Sequence, residues 1–271
     1  MSTIIEKLQE ILTIKNEIKG AIRDKGGKIE DGTPFSNYPN CIRNIETGSG
    51  GGGDPIYEIV YNTKTENGMN FDGLFRDYKG VELDVSSLKT SRAENMSNMF
   101  SGCEFLQSLD VSNFNTSRVR NMRDMFCACR DLQSLDLSNF NTSNVEEMSN
   151  MFSGCEFLQS LDVSNFNISR VWNMSGMFRE CRNLQSLDLS NFNTSNVEEM
   201  NDMFSGCDNL RELYLRHCEN DTISKIINSN EFPTGKVWDK DAEKEIIRKI
   251  YCDSKYVEGL EAPDGWEFIT E

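Results

Sequence analysis

The chain has 271 residues, with 28 Lys and Arg against 44 Asp and Glu, for a net charge of −16. An acidic surface of that size repels phosphate, so neither nucleic acid nor an anionic membrane is expected as a partner. Apolar runs are only a few residues long, far short of a bilayer span. The single histidine, His217, leaves little for acid–base or metal chemistry, and no catalytic, cofactor-binding or metal-ligating residue is expected.

Residues 1–20, MSTIIEKLQEILTIKNEIKG, interrupt their apolar residues with acids and lysines. A secretory leader needs an unbroken apolar run, so export by that route is not expected, and the nine cysteines read as thiols. Ile4, Leu8, Ile11, Ile18 and Ile22 follow alternating steps of four and three, with Lys15 breaking the run. That spacing gives a helical heptad seam. A lone helix of about 20 residues is marginal in water. Residues 1–46 are therefore expected to form a helical anchor that self-associates through those five residues. The competing reading folds the same helix onto Ile29, Phe35, Tyr38, Ile42 and Ile45. Residues 47–55, TGSGGGGDP, bring no apolar area and read as a flexible linker.

The remainder is organised by a period of 26 residues. Leu109, Leu135, Leu161, Leu187 and Leu213 fall in register, as do Cys103, Cys129, Cys155, Cys181 and Cys207, and Phe100, Phe126, Phe152, Phe178 and Phe204. In the unit 127–152, Leu135 and Leu137 alternate with Ser134, Asp136 and Ser138, which predicts a short strand with one face inward. Phe140 then enters the core. Ser143 and Glu146 have capping-box spacing, and Val145, Met148, Met151 and Phe152 recur at helical steps, so a short helix is predicted next. One unit cannot bury its apolar face alone, whereas a stack of units makes a continuous core. The expected fold class is an α/β repeat, a solenoid of 26-residue strand–helix units preceded by the helical anchor. Residues 56–82 form an N-terminal cap with a degenerate first repeat, 83–232 the solenoid, and 233–271 a C-terminal cap. There, Ile246, Ile247, Ile250 and Tyr251, with Trp238 and Trp266, can seal the open end. A second period of 52 residues overlies the first, since 101–126 closely matches 153–178 and 127–152 closely matches 179–204.

Several rows are candidates for contact. Asp84, Asp110, Asp136, Asp162 and Asp188 form a column on one strand face, flanked by serines. Stacked carboxylates can recruit a cation, but no calcium-loop signature accompanies them, and a solvated column is the competing reading. One Cys per unit, always after a Phe, reads as a small buried residue rather than a metal or disulfide ladder. The Asn columns through Asn139 and Asn141 read as partners of turn backbone groups. Trp172 occupies a slot that holds Arg120, Glu146 and Glu198 in other units, so it is expected at the surface as a contact anchor or as a lone aromatic. Arg118, Arg120 and Arg123 form a basic patch that can meet an anionic partner or pair with acids such as Glu146 and Glu147.

Residues 75–215, through phrases such as LDLSNFNTSNVEEMSNMF, resemble the leucine-rich repeat proteins of the BspA-like class. That resemblance implies a right-handed leucine-rich solenoid used for surface contact or adhesion, not catalysis. Residues 8–45 resemble a module found at the start of bacteriophage virion proteins. In that setting the module implies docking of a fibre or decoration protein on the particle, usually as a homotrimer. The stretch PTGKVW to DGWEF resembles the closing segment of BspA-like phage proteins. Together these imply a virion protein, assembled in the host cytoplasm, whose partners are itself, a virion docking protein, and a host surface polymer or protein. The alternative is a bacterial cell-surface adhesin of the BspA-like class. A glycan-active enzyme would need paired carboxylates in a pocket, where this sequence offers an evenly spaced row.

Overall fold

The computed structural model describes residues 69–270 except 87 and 240–242, together with Arg23. The anchor expected over 1–46, with Ile4, Leu8, Ile11, Ile18 and Ile22, and the linker at 47–55 lie outside the described residues. Among those described, no helix is long and apolar enough to cross a membrane.

Residues one period apart lie side by side. Parallel bridges run Asn95 to Asn121, Asn121 to Glu147, Glu147 to Asn173 and Asn173 to Glu199, each step 26 residues. At the amino-terminal end the same ladder begins with β1 (Met69–Asn70) beside β2 (Ala93–Asn95). A second parallel ladder passes through the leucine rows. It starts at the bridge from Glu82 to Ser108 and ends as a four-stranded sheet. That sheet pairs β3 (Ser186–Asp188) with β4 (Glu212–Tyr214), then β7 (Arg248–Cys252), then β8 (Trp266–Thr270). A short hairpin, β5 (Val237–Asp239) and β6 (Lys244–Ile246), and an α-helix, α1 (Asn220–Ile227), lie between β4 and β7.

The segment expected as a helix in each unit is instead a run of tight turns. In residues 148–155 the N–H groups of Asn150, Phe152 and Gly154 donate to Ser175, Met177 and Arg179 of the next unit at 2.7–2.9 Å. The alternate N–H groups, of Met151, Ser153 and Cys155, close local turns onto Met148, Asn150 and Phe152 at 3.0–3.3 Å. Asn150 and Gly154 have φ of 53° and 74°, a left-handed conformation that no α-helix sustains. At Gly154 an added Cβ would also come within 3.4 Å of the Ala128 backbone. The capping box does not form either, because the Ser143 N–H donates to Asn141 Oδ1 at 3.1 Å. Turns with inward residues every three or four positions imitate a helical stripe, which is why the spacing alone misleads. The predicted strand at Leu135–Leu137 likewise lacks a continuous ladder, and in the leucine ladder regular strands form, among the described residues, only from Ser186 onward.

Between the two ladders lies one core. Phe75, Phe100, Phe126, Phe152, Phe178 and Phe204 stack in a file, with ring centres 5.5–5.8 Å apart and planes within 18° of parallel. Each ring covers its neighbours' faces, so the apolar area of a unit is buried only by the units beside it. Cys103, Cys129, Cys155, Cys181 and Cys207 are buried beside this file. Each thiol donates to the carbonyl of a phenylalanine in the preceding unit, Phe75, Phe100, Phe126, Phe152 and Phe178 in turn, at 3.0–3.3 Å. Polar stitching holds the units on the outside. Asn139 Nδ2 donates to the carbonyls of Val111, Ser112 and Phe114, and Asn113, Asn165 and Asn191 repeat that triple contact one unit apart.

The carboxyl end is closed differently. Phe232 meets Phe204 edge-on at 78°, then packs on Trp266, ending the aromatic file. Arg248 is 4% exposed, and its guanidinium donates to the carbonyls of Gly235, Leu210 and Asp208 at 2.7–3.1 Å. The carbonyls equivalent to that of Asp208 within the stack, those of Glu104, Arg130, Glu156 and Arg182, accept an N–H from the following unit. Arg248 thus stands in for the backbone donor that another unit would have supplied.

Candidate contact surface

The aspartate row is a line of exposed side chains with a local structural duty. Oδ1 of Asp84, Asp110, Asp136, Asp162 and Asp188 each accepts the backbone N–H of the serine two residues on, at 2.9 Å. These are turns closed by a carboxylate. The same serines hold the carboxyls of Asp84, Asp110, Asp136 and Asp162 below the ordinary value. The backbone N–H leads at Asp84 and Asp136, and the hydroxyl at Asp110 and Asp162. Among the described residues no group of three His, Cys, Asp or Glu is placed to hold a metal ion.

Trp172 and the three arginines belong to the other ladder. Trp172 is 41% exposed, and its backbone N–H donates to the Glu146 carbonyl at 3.0 Å. Arg120 pairs with Glu146 at 3.0 Å, Arg118 with Glu94 at 4.0 Å and Arg123 with Asp124 at 3.0 Å. Glu146 also receives Arg170 at 3.8 Å. The structure therefore groups Trp172 with the row that contains Arg120 and Glu146, and does not bring it together with the aspartate row.

The thiols are sheltered. Burial pushes Cys207 from an ordinary 9.0 up to about 12, and burial likewise raises Cys155 and Cys181. The folded protein then keeps a proton that the unfolded chain releases above pH 9, so the contribution of Cys207 is whole below that pH. It is lost as pH rises toward 12. Stability measured by unfolding across the alkaline range should fall less steeply in a Cys207→Ala chain than in the wild type.

Two features escape the sequence reading. Phe105 and Phe157, 47% and 52% exposed, hold matching positions two units apart. More telling is the end of the aspartate row. β3, β4 and β7 place Tyr214 beside Asp188 and Tyr251 beside Tyr214. The two rings stack 4.5 Å apart at 7°. Both phenols donate to one carboxylate, Glu212, at 2.9 and 3.2 Å. Burial and that carboxylate push the Tyr214 phenol up to about 12. The period does announce a tyrosine in the aspartate slot at 214. Tyr251 was invisible as its neighbour because α1 and the β5–β6 hairpin intervene.

A family described as "Mycoplasma protein of unknown function, DUF285" matches residues 57–160 and again residues 128–231. The two matches together span well over half of the chain. The chain belongs to this family. No curated protein and no solved structure matches it significantly. The overlap of the two matches within 128–160 reflects the internal repetition, because one pattern can be laid on the DUF285 chain at two positions.

Proposed function

We propose that this DUF285 chain is a non-enzymatic contact protein of a bacteriophage particle. On this reading it is a leucine-rich-repeat solenoid of the BspA-like kind, displayed as a fibre or decoration protein. Residues 1–46 trimerise and dock on the virion, and the stacked units meet a host surface polymer or protein. The observation that carries the contact reading is that both ladders join residues 26 apart, so that an exposed carboxylate recurs in one slot from Asp84 to Asp188. The core supports it too, since the cysteines of the repeat are buried beside the phenylalanine file rather than presented to solvent. A second reading, a bacterial cell-surface adhesin, draws support from the family description, which names a cellular organism, Mycoplasma.

Particles purified from a lysate separate these readings. The virion reading expects the chain in the particle fraction by mass spectrometry and a trimer by light scattering of the full-length protein. Its absence from particles, with surface labelling of intact bacteria, would transfer the assignment to the adhesin. Hydrolysis of a host glycan that is lost in Asp136→Asn would overturn both.

A further inference from the structure

The aspartate row ends in a step. On one side stand Asp162 and Asp188, and on the other the larger Tyr214 backed by Tyr251. The step encloses a shallow cavity of about 300 Å³, lined by Ser160, Leu161, Asp162, Ser186, Asp188 and Tyr214. That volume lies at the small end of ligand sites and suits a single ring. Tyr214 contributes to it from the side opposite Tyr251.

Its wall is built to stay in place. The Tyr214 ring is stacked on Tyr251, its phenol is tied to Glu212, and the Arg216 guanidinium lies 5.8 Å from both ring centres. An aromatic face held this way accepts the C–H face of a sugar ring or a cation. The floor narrows the choice. Asp162 and Asp188 each commit Oδ1 to a serine N–H at 2.9 Å, and as exposed carboxylates they keep further lone pairs to accept from a ligand. Carboxylates on neighbouring units repel one another, and Asp136 acts on Asp162 in that sense. A positive group lodged between two of them relieves that repulsion, which a neutral ligand does not do. The serine hydroxyls of Ser160 and Ser186 add donors and acceptors for ring hydroxyls.

We propose that this cavity binds an amino sugar, its ring against Tyr214 and its ammonium between Asp162 and Asp188. The inference rests on the contact reading above and specifies the chemistry of the host surface polymer. At the opposite end of the same row, Asp84 and Asp110 are followed in the next slot by another aspartate, Asp136, and not by a tyrosine, so they are the internal control.

The test is calorimetric titration of the full-length chain with a glucosamine hexasaccharide and its N-acetylated counterpart, in slightly acidic buffer that keeps the amine protonated. The amino form should bind at least about tenfold more tightly than the acetylated form. Asp162→Asn with Asp188→Asn keeps a side-chain oxygen for both serine N–H groups and should weaken the amino form by roughly tenfold or more. Asp84→Asn with Asp110→Asn should leave it unchanged. Tyr214→Phe, which keeps the ring, should retain binding, whereas Tyr214→Ala should lose it. Equal affinity for the two hexasaccharides, equal loss in the control pair, or equally tight binding of a lysine hexapeptide would overturn the proposal. No binding of the hexasaccharide by a wild-type chain that still adheres to cells would overturn it while leaving the contact reading intact.

Discussion

The middle of the stack and its carboxyl end solve one problem in two ways. Between Phe100 and Phe204 each unit is closed by a near copy of itself: ring on ring, Asn on carbonyl, N–H on carbonyl, all at one spacing. Beyond Phe204 no copy follows, and each repeated contact is replaced by a different residue. Phe232 turns edge-on to end the file, Arg248 supplies the missing donors, and β8 covers β7. Repetition makes the interior cheap to specify, while the end has to be written out residue by residue. The sharpest chemistry, the Tyr214–Tyr251 wall, arises at that boundary because the repeat is broken there.

The largest contrast should come from the aromatic file. Phe126 is fully buried between Phe100 and Phe152, whereas Phe75 has one stacked neighbour among the described residues. Phe126→Ala should cost about 4 kcal/mol in urea unfolding. It should also uncouple the two halves, so that the transition broadens, because stability in a stack passes between neighbours. Phe75→Ala should cost less and leave the transition sharp. Equal costs with unchanged cooperativity would mean that the file does not couple the units.

At the other region, Arg248→Met tests whether one side chain replaces a unit. It removes a buried charge and leaves the carbonyls of Gly235, Leu210 and Asp208 without their donor. A loss of about 3 kcal/mol is expected, with the carboxyl-terminal segment exchanging amide hydrogens first. Uniform exchange along the chain would show that the end is not a separately fastened element.

How much of this the residues announced follows the same boundary. The period, the buried leucine, phenylalanine, methionine and cysteine rows, and the turn duty of the asparagines could all be read from recurrence, since a position used five times reports its environment five times. Local conformation could not. Val145, Met148, Met151 and Phe152 satisfy a helical stripe and a run of turns equally well. The deciding signals were Asn150 within the supposed helix and Gly154 just after it, two residues that tolerate left-handed backbone. The aspartate row was legible as a row, but its serine-closed turns were not, because a carboxylate that caps a turn and one that awaits a cation share the same spacing. Arg248 carried no signal, since a buried arginine is recognised only once the carbonyls around it are known.

A smaller difference is expected from the stitching. Asn139 donates to three carbonyls of the preceding unit, but on a partly solvated edge where water can replace it. Asn139→Ala should therefore cost about 1 kcal/mol. Asn139→Asp should cost more, because a carboxylate cannot donate to any of the three. If Asp is tolerated as well as Ala, the contact contributes packing rather than hydrogen bonds.

The smallest effect separates an ion pair seen in the structure from one that stabilises it. Arg120 meets Glu146 at 3.0 Å across one unit step, yet its side chain is 61% exposed. Water and salt screen a pair in that position, and ordering the long arginine side chain opposes the gain. Arg120→Ala should shift unfolding by less than about 0.5 kcal/mol, and added salt should abolish the difference. Trp172 occupies the next slot of the same row. A large shift in Arg120→Ala would therefore make that row part of the frame rather than a surface free to meet a partner. The aspartate row with its tyrosine wall would then be the sole repeated face left for contact among the rows considered.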